Sequence, residues 1–165
     1  MKSDAFAVGL PAPEIALPAL SGRIERLSDR RGRSVVLVFY RGHWCPACRR
    51  QLGQLRDGYS SIGRHGAEVL AISTESPDTL RSSDHARSLP FPLLCDEQGR
   101  LMRSLGLAIY DDGRGCWIAR PATVLIDPTG TIRFAHVGEH PRDRPALGSI
   151  LLALEWMNES AGDLG

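Results

Sequence analysis

Two thiols three residues apart, Cys45 and Cys48 in the run Trp44-Cys45-Pro46-Ala47-Cys48, are the residues of this chain best suited to chemistry. Cysteines at this spacing can close a small disulfide and reopen it, which is a reversible dithiol cycle. The attacking form is the thiolate, so whatever lowers the thiol pKa decides whether the pair is reactive. The same spacing is also half of a zinc knuckle. A second pair is missing, however: Cys95 and Cys116 are far apart in sequence, and His43 would have to be recruited to complete a ligand set. A redox pair with no bound metal or cofactor is therefore the expectation, and a non-enzymatic zinc-stabilised or scaffold domain is the alternative.

Position would activate these sulfurs. The continuous apolar run Ser34 to Tyr40 reads as a strand buried on both faces and central in its sheet. From Pro46 onward, Leu52, Leu55, Tyr59 and Ile62 recur at helical spacing, so a helix opens directly on the dithiol. Unpaired N–H groups and the positive end of the helix dipole stabilise an anion there. Pro46 suits the first turn.

The remaining elements are read in the same way. Leu10 to Leu20 is a proline-punctuated lead-in, and Arg23 to Leu27 is a short strand; residues 1–33 form an extended arm that wraps the domain rather than building its core. Ala67 to Ser73 is a second buried strand, parallel to the first. Ser76-Pro77 opens a helix toward Ser88, and Pro90 to Cys95 is a short strand. Asp96 caps a helix carrying Leu101, Met102 and Leu105. Ala108 to Ala119 reads as a loop. Ala122 to Asp127 and Thr131 to Val137 pair antiparallel across Asp127-Pro128-Thr129-Gly130. Leu147, Ile150, Leu151 and Leu154 mark a last helix, with Asp143 as its cap and Pro145 in its first turn. This order predicts an α/β domain, residues 1–165 as one unit, with a central mixed sheet and helices on both faces. It matches a thioredoxin-like fold.

Composition narrows the function classes. At 165 residues with 42% hydrophobic content, the chain can bury one ordinary core. A formal net charge of +1 gives no footprint for nucleic acid or for a membrane surface. No apolar stretch is as long as a membrane span, and the start Met1-Lys2-Ser3-Asp4-Ala5-Phe6 lacks the apolar run of a signal peptide, so a cytoplasmic location is expected.

The sequence resembles the peroxiredoxin branch of the thioredoxin superfamily, the AhpC/TSA group. The resemblance rests on Gly9-Leu10-Pro11-Ala12-Pro13-Glu14 with Leu17-Pro18, on Leu27-Ser28-Asp29 with Gly32, and on Leu93-Leu94-Cys95-Asp96 with Leu105-Gly106-Leu107. It implies that Cys48 is the cysteine that attacks a hydroperoxide and that Cys45 resolves the sulfenic acid. An external thioredoxin-like or other dithiol would reduce the disulfide, and a homodimer is the common assembly. The family's motif carries proline where Arg41 stands and threonine or serine where Cys45 stands. Trp44 to Cys48 is similar instead to the thioredoxin motif, in which Cys45 would attack a protein disulfide and Cys48 resolve. Pro121 falls where thioredoxins place a cis-proline against their disulfide, and would help dock the substrate. Arg120 aligns one residue from the peroxiredoxin arginine and would lower a thiolate pKa and steady the leaving oxygen; Arg41 would do so from the other side. Trp44 would pack beside the disulfide and exclude water.

Cys95 reads as a small buried side chain. Cys116 is a minor candidate for a resolving thiol. His43 stands where it would tune a thiolate, whereas His65, His85, His136 and His140 carry no pattern of their own.

Overall fold

A computed structural model describes residues 4–163, so the ends of the expected 1–165 unit, and of its 1–33 arm, lie outside the described residues. The central sheet has five strands: β3 (Ser34–Phe39), β4 (Ala67–Ser73), β5 (Leu93–Cys95), β8 (Ala122–Ile126) and β9 (Ile132–Val137). Their spatial order is β5-β4-β3-β8-β9, with β3, β4 and β5 parallel and β8 and β9 antiparallel to their neighbours. The strand leading to the dithiol is thus the middle one, as its two-sided burial demands.

Residue alternation along β3 splits the core into two halves. Val36, Val38 and Tyr40 face helices α1 (Pro46–Asp57), α2 (Tyr59–Arg64) and α6 (Leu147–Gly162) through Leu52, Leu55, Ile62, Ile150 and Leu154. Two short helices, α3 (Pro77–Arg81) and α4 (Asp84–Arg87), add Leu80 and Ala86 to this side. Val35, Leu37 and Phe39 face the opposite way, onto Met102 of α5 (Arg100–Ser104) and onto Phe6, Ile15, Ala19 and Leu27 of the arm. The arm is therefore a core element: these four side chains are almost completely buried, and β1 (Ala16–Pro18) and β2 (Ile24–Arg26) form a hairpin within it.

Several elements differ from their sequence reading for local reasons. Gly58 divides the first helix, and a side chain there would collide with Leu147 of α6, 2.5 Å from the site of its Cβ. Ser83 recaps the chain after Arg81, so the helix toward Ser88 is two short ones. Ala108 to Ala119 is not a loop but an antiparallel hairpin of β6 (Ala108–Asp111) and β7 (Cys116–Ala119). Asp96 does satisfy the α5 terminus, accepting from Leu101 N and Met102 N, although Gly99 occupies the cap position. Asp143 does not cap α6; Ala146 stands at that position, and the Asp143 carboxylate is engaged elsewhere. Among the described residues no helix is long and apolar enough to cross a membrane.

Candidate active site

Beyond β3 the chain turns through Gly42 to Trp44, and Cys45 becomes the N-cap of α1. Its sulfur takes the role usually played by a serine or aspartate oxygen, accepting from Cys48 N at 3.4 Å, while Pro46 fills the first helical position. The Cys48 sulfur accepts from Arg41 N at 3.3 Å. Both side chains are buried, Cys45 with 2% and Cys48 with 0% of its surface exposed, and both are free thiols.

A guanidinium completes the surroundings of Cys48, and it belongs to Arg144. Its Nη2 lies 3.0 Å from the Cys48 sulfur, its Nη1 donates to Gln51 Oε1 at 2.5 Å, and its Nε donates to Pro141 O at 2.7 Å. Gln51, one turn along α1 from Cys48, donates in turn to Thr123 Oγ1 on β8 at 3.3 Å. Sheet, helix and arginine are thus linked through one buried amide. Arg144 is set by the segment after β9: His136 Nε2 and Asp143 Oδ1 are 2.7 Å apart, and Glu139 N donates to Asp143 Oδ2 at 2.9 Å. Sequence reasoning missed Arg144 because its position relative to Cys48 is set only by the folded return of the chain.

The two thiols differ electrostatically. Burial works to raise Cys45, yet donation from the Cys48 side chain and from Cys48 N, with the charges of Arg144 and Arg41, brings it below the ordinary thiol value. Burial pushes Cys48 up, and Arg144 opposes this without cancelling it. The Cys48 proton is further held by the bond it gives to Cys45. Cys45 is therefore the more acidic thiol of the pair, with Cys48 as its hydrogen-bond donor.

Trp44, next to Cys45 in the chain, packs against Arg41 and Arg114. Two guanidiniums lie over the Trp44 indole, with Arg114 Cζ 3.4 Å and Arg41 Cζ 4.9 Å from its ring centroid. Arg114 stands at the turn of the β6–β7 hairpin, so a segment read as a loop reaches the site. Gly42 makes the fit achievable: a Cβ there would lie 2.3 Å from Trp44 Nε1. His43 turns away from the sulfurs, with both its N and its Nδ1 on Glu75 Oε1 at 2.9 and 3.0 Å. Its ring packs edge-on against Tyr40 and beside His85.

The thioredoxin-like expectation for Pro121 needs correction, because no cis peptide bond occurs among the described residues. Pro121 is buried, and its carbonyl accepts from Gly138 N at 2.7 Å, in ordinary strand-opening fashion. Arg120 donates to Gly138 O at 3.3 Å, beside the segment that carries Arg144. Cys95 is buried at the end of β5, where burial pushes its thiol up to about 11. Cys116 is exposed on the hairpin.

The sequence profile of the AhpC/TSA family matches residues 8–135. Thiol-disulfide oxidoreductase ResA of Geobacillus thermodenitrificans is 32% identical over 133 residues, covering 80% of this chain and 70% of that protein. Putative peroxiredoxin bcp of Coxiella burnetii is 32% identical over 127 residues, covering 76% and 84%. Among solved structures, peroxidoxin BcpB of Mycobacterium tuberculosis superposes with a TM-score of 0.75 at 23% identity, over 91% of this chain and 97% of that one. AhpC of Enterococcus faecalis gives 0.76 at 21% identity, over 94% of each.

Proposed function

The chain belongs to the AhpC/TSA family, and from that membership we propose that it is a thiol peroxidase working through the Cys45/Cys48 pair. The observation that carries this reading is the pair of donors on one buried sulfur: Arg144 Nη2 at 3.0 Å and Arg41 N at 3.3 Å from Cys48 Sγ. Such donors favour the thiolate over the thiol and then face the oxygen that departs.

In this reading the proton shared by the sulfurs passes to Cys45, and the Cys48 thiolate attacks the terminal oxygen of the hydroperoxide. The O–O bond breaks, Cys48 becomes a sulfenic acid, and the departing alkoxide takes a proton from solvent. The Cys45 thiol then attacks the Cys48 sulfur, releasing water and leaving the disulfide. An external dithiol of the thioredoxin type returns the pair to thiols. Trp44 shields the site, and Arg41 and Arg120 add positive charge around it. No step calls for a bound metal or cofactor.

A second reading, a protein disulfide reductase, is favoured by the direction of the Cys45 shift and by the likeness to ResA. There the Cys45 thiolate attacks a substrate disulfide and Cys48 resolves the mixed disulfide. Rapid mixing of the Cys45→Ser and Cys48→Ser proteins with hydrogen peroxide separates the two. Loss of the fast phase in Cys48→Ser and its retention in Cys45→Ser supports the peroxidase; a Cys48→Ser protein as fast as the parent overturns it.

A further inference from the structure

Beside the dithiol, and lined in part by Arg144, lies a cavity of about 450 Å³. Its floor is Pro46 and Ala47 from the first turn of α1 together with Pro145 and Ala146 ahead of α6, and its polar lining includes Arg50, Arg142 and Arg144. No carboxylate lines it. Three guanidiniums thus face one small cavity in a chain whose formal net charge is only +1.

None of these three arginines takes part in an ion pair among the described residues, whereas Arg30, Arg33, Arg56, Arg81, Arg87, Arg114 and Arg133 all do. Arg50 and Arg142 make no side-chain hydrogen bond there either. Arg144 has five N–H donors, of which Pro141 O, Gln51 Oε1 and Cys48 Sγ occupy three. The two left over, one on each terminal nitrogen, belong to a side chain that walls the cavity. Both long helices also begin at its floor, so their dipoles add to the positive field.

Resting on the peroxidase reading, we infer that this cavity seats the carboxylate of an organic hydroperoxide, so that the preferred substrate is an anionic hydroperoxide. Arg50 and Arg142 hold the carboxylate, and the spare donors of Arg144 guide the peroxide end toward Cys48. The apolar floor of proline and alanine accepts the intervening carbon chain. The shared arginine explains why the seat adjoins the sulfur.

The test compares short-chain hydroperoxy carboxylates with their methyl esters, in which a methyl group replaces the negative charge. The parent is expected to favour the carboxylate by about tenfold in kcat/KM at low ionic strength, with the preference shrinking as salt is added. In the double variant Arg50→Gln, Arg142→Gln that ratio falls toward one. Calorimetric titration of the parent with succinate supplies a readout independent of turnover, with binding expected in the parent and weakened in the double variant. A parent ratio near one, or a ratio that the double variant leaves untouched, overturns the inference while leaving the peroxidase intact. Failure to reduce hydrogen peroxide or either hydroperoxide overturns the peroxidase reading itself; the seat then stands or falls on succinate binding.

Discussion

Arg144 Nη2 sits 3.0 Å from the sulfur of Cys48, a residue 96 positions earlier in the chain. The contact joins the segment between β9 and α6 to the start of α1 and brings a full positive charge directly onto the buried thiol. Replacing Arg144 by Gln keeps a donor but removes the charge and the fork that also grips Gln51. Peroxide-dependent oxidation of Cys48 in Arg144→Gln is expected to slow by about a hundredfold, the order found when one preorganised donor is lost. Stopped-flow tryptophan fluorescence measures it. The thiolate absorbance of the same variant should appear at higher pH, because the pull of Arg144 on both sulfurs is gone and only Arg41 still acts on Cys45.

Gly42 supplies space rather than chemistry. A methyl group there would lie 2.3 Å from Trp44 Nε1 and 2.7 Å from Cδ1, so the indole must shift from its contacts with Arg41 and Arg114. Gly42→Ala is expected to shift the tryptophan emission and to loosen the β6–β7 hairpin at Arg114. Faster amide hydrogen exchange across Asp111 to Cys116 is the measurement; unchanged exchange would show that the stack does not restrain the hairpin.

Residues close in sequence made the dithiol legible. Cys45 and Cys48 are three positions apart; the run before them is short and β-branched, which marks a strand, and the leucines after them recur at helical spacing. Long-range contacts were not legible. Gln51 reads as a polar residue on a helix until Thr123 and Arg144 close on its two ends. Asp143 and Pro145 resemble a helix start because they carry capping types, but the carboxylate finds a stronger partner in His136. The hairpin at Ala108 to Ala119 was hidden because its strands have four residues each, and their exposed, half-buried and buried positions do not alternate with a two-residue period. The arm was underrated for the opposite reason: its buried residues, Phe6, Ile15, Ala19 and Leu27, are spread between prolines and show no period.

Cys95 provides a pH prediction separate from turnover. Its thiol is pushed up to about 11 by burial, with Glu97 and Glu75 adding to the effect. An unfolded cysteine loses its proton near about pH 8.5. Between those values the folded state holds a proton that the unfolded state has released, so stability falls as pH rises through the window. The urea midpoint of the parent should therefore drop from about pH 8.5 toward 11 more steeply than that of Cys95→Ala. Parallel slopes would show that Cys95 is not the group responsible.

The tether between His136 and Asp143 offers the complementary case at acid pH. Asp143 is held below the usual carboxylate range first by the N–H of Glu139 and then by His136. A depressed carboxylate stabilises the fold fully above its unfolded pKa, and that contribution is lost as pH falls through the lower folded value. The carboxylate is solvent-facing, so its effect is local: it fixes the turn from Gly138 to Arg144 rather than the whole domain. Protection of the Glu139 amide against hydrogen exchange should persist through the ordinary carboxylate range and disappear only below it. Asp143→Asn removes the charge that both partners recognise, so the Glu139 amide should exchange faster at every pH at which Asp143 of the parent is ionised. Because the same turn presents Arg144, the variant should also oxidise more slowly with peroxide, by about fivefold to tenfold, a smaller loss than removing Arg144 itself. Introducing Asp143→Asn into Arg144→Gln should then cost little more, since the turn no longer has a guanidinium to place; a full additive loss would show that Asp143 acts on the site by another route.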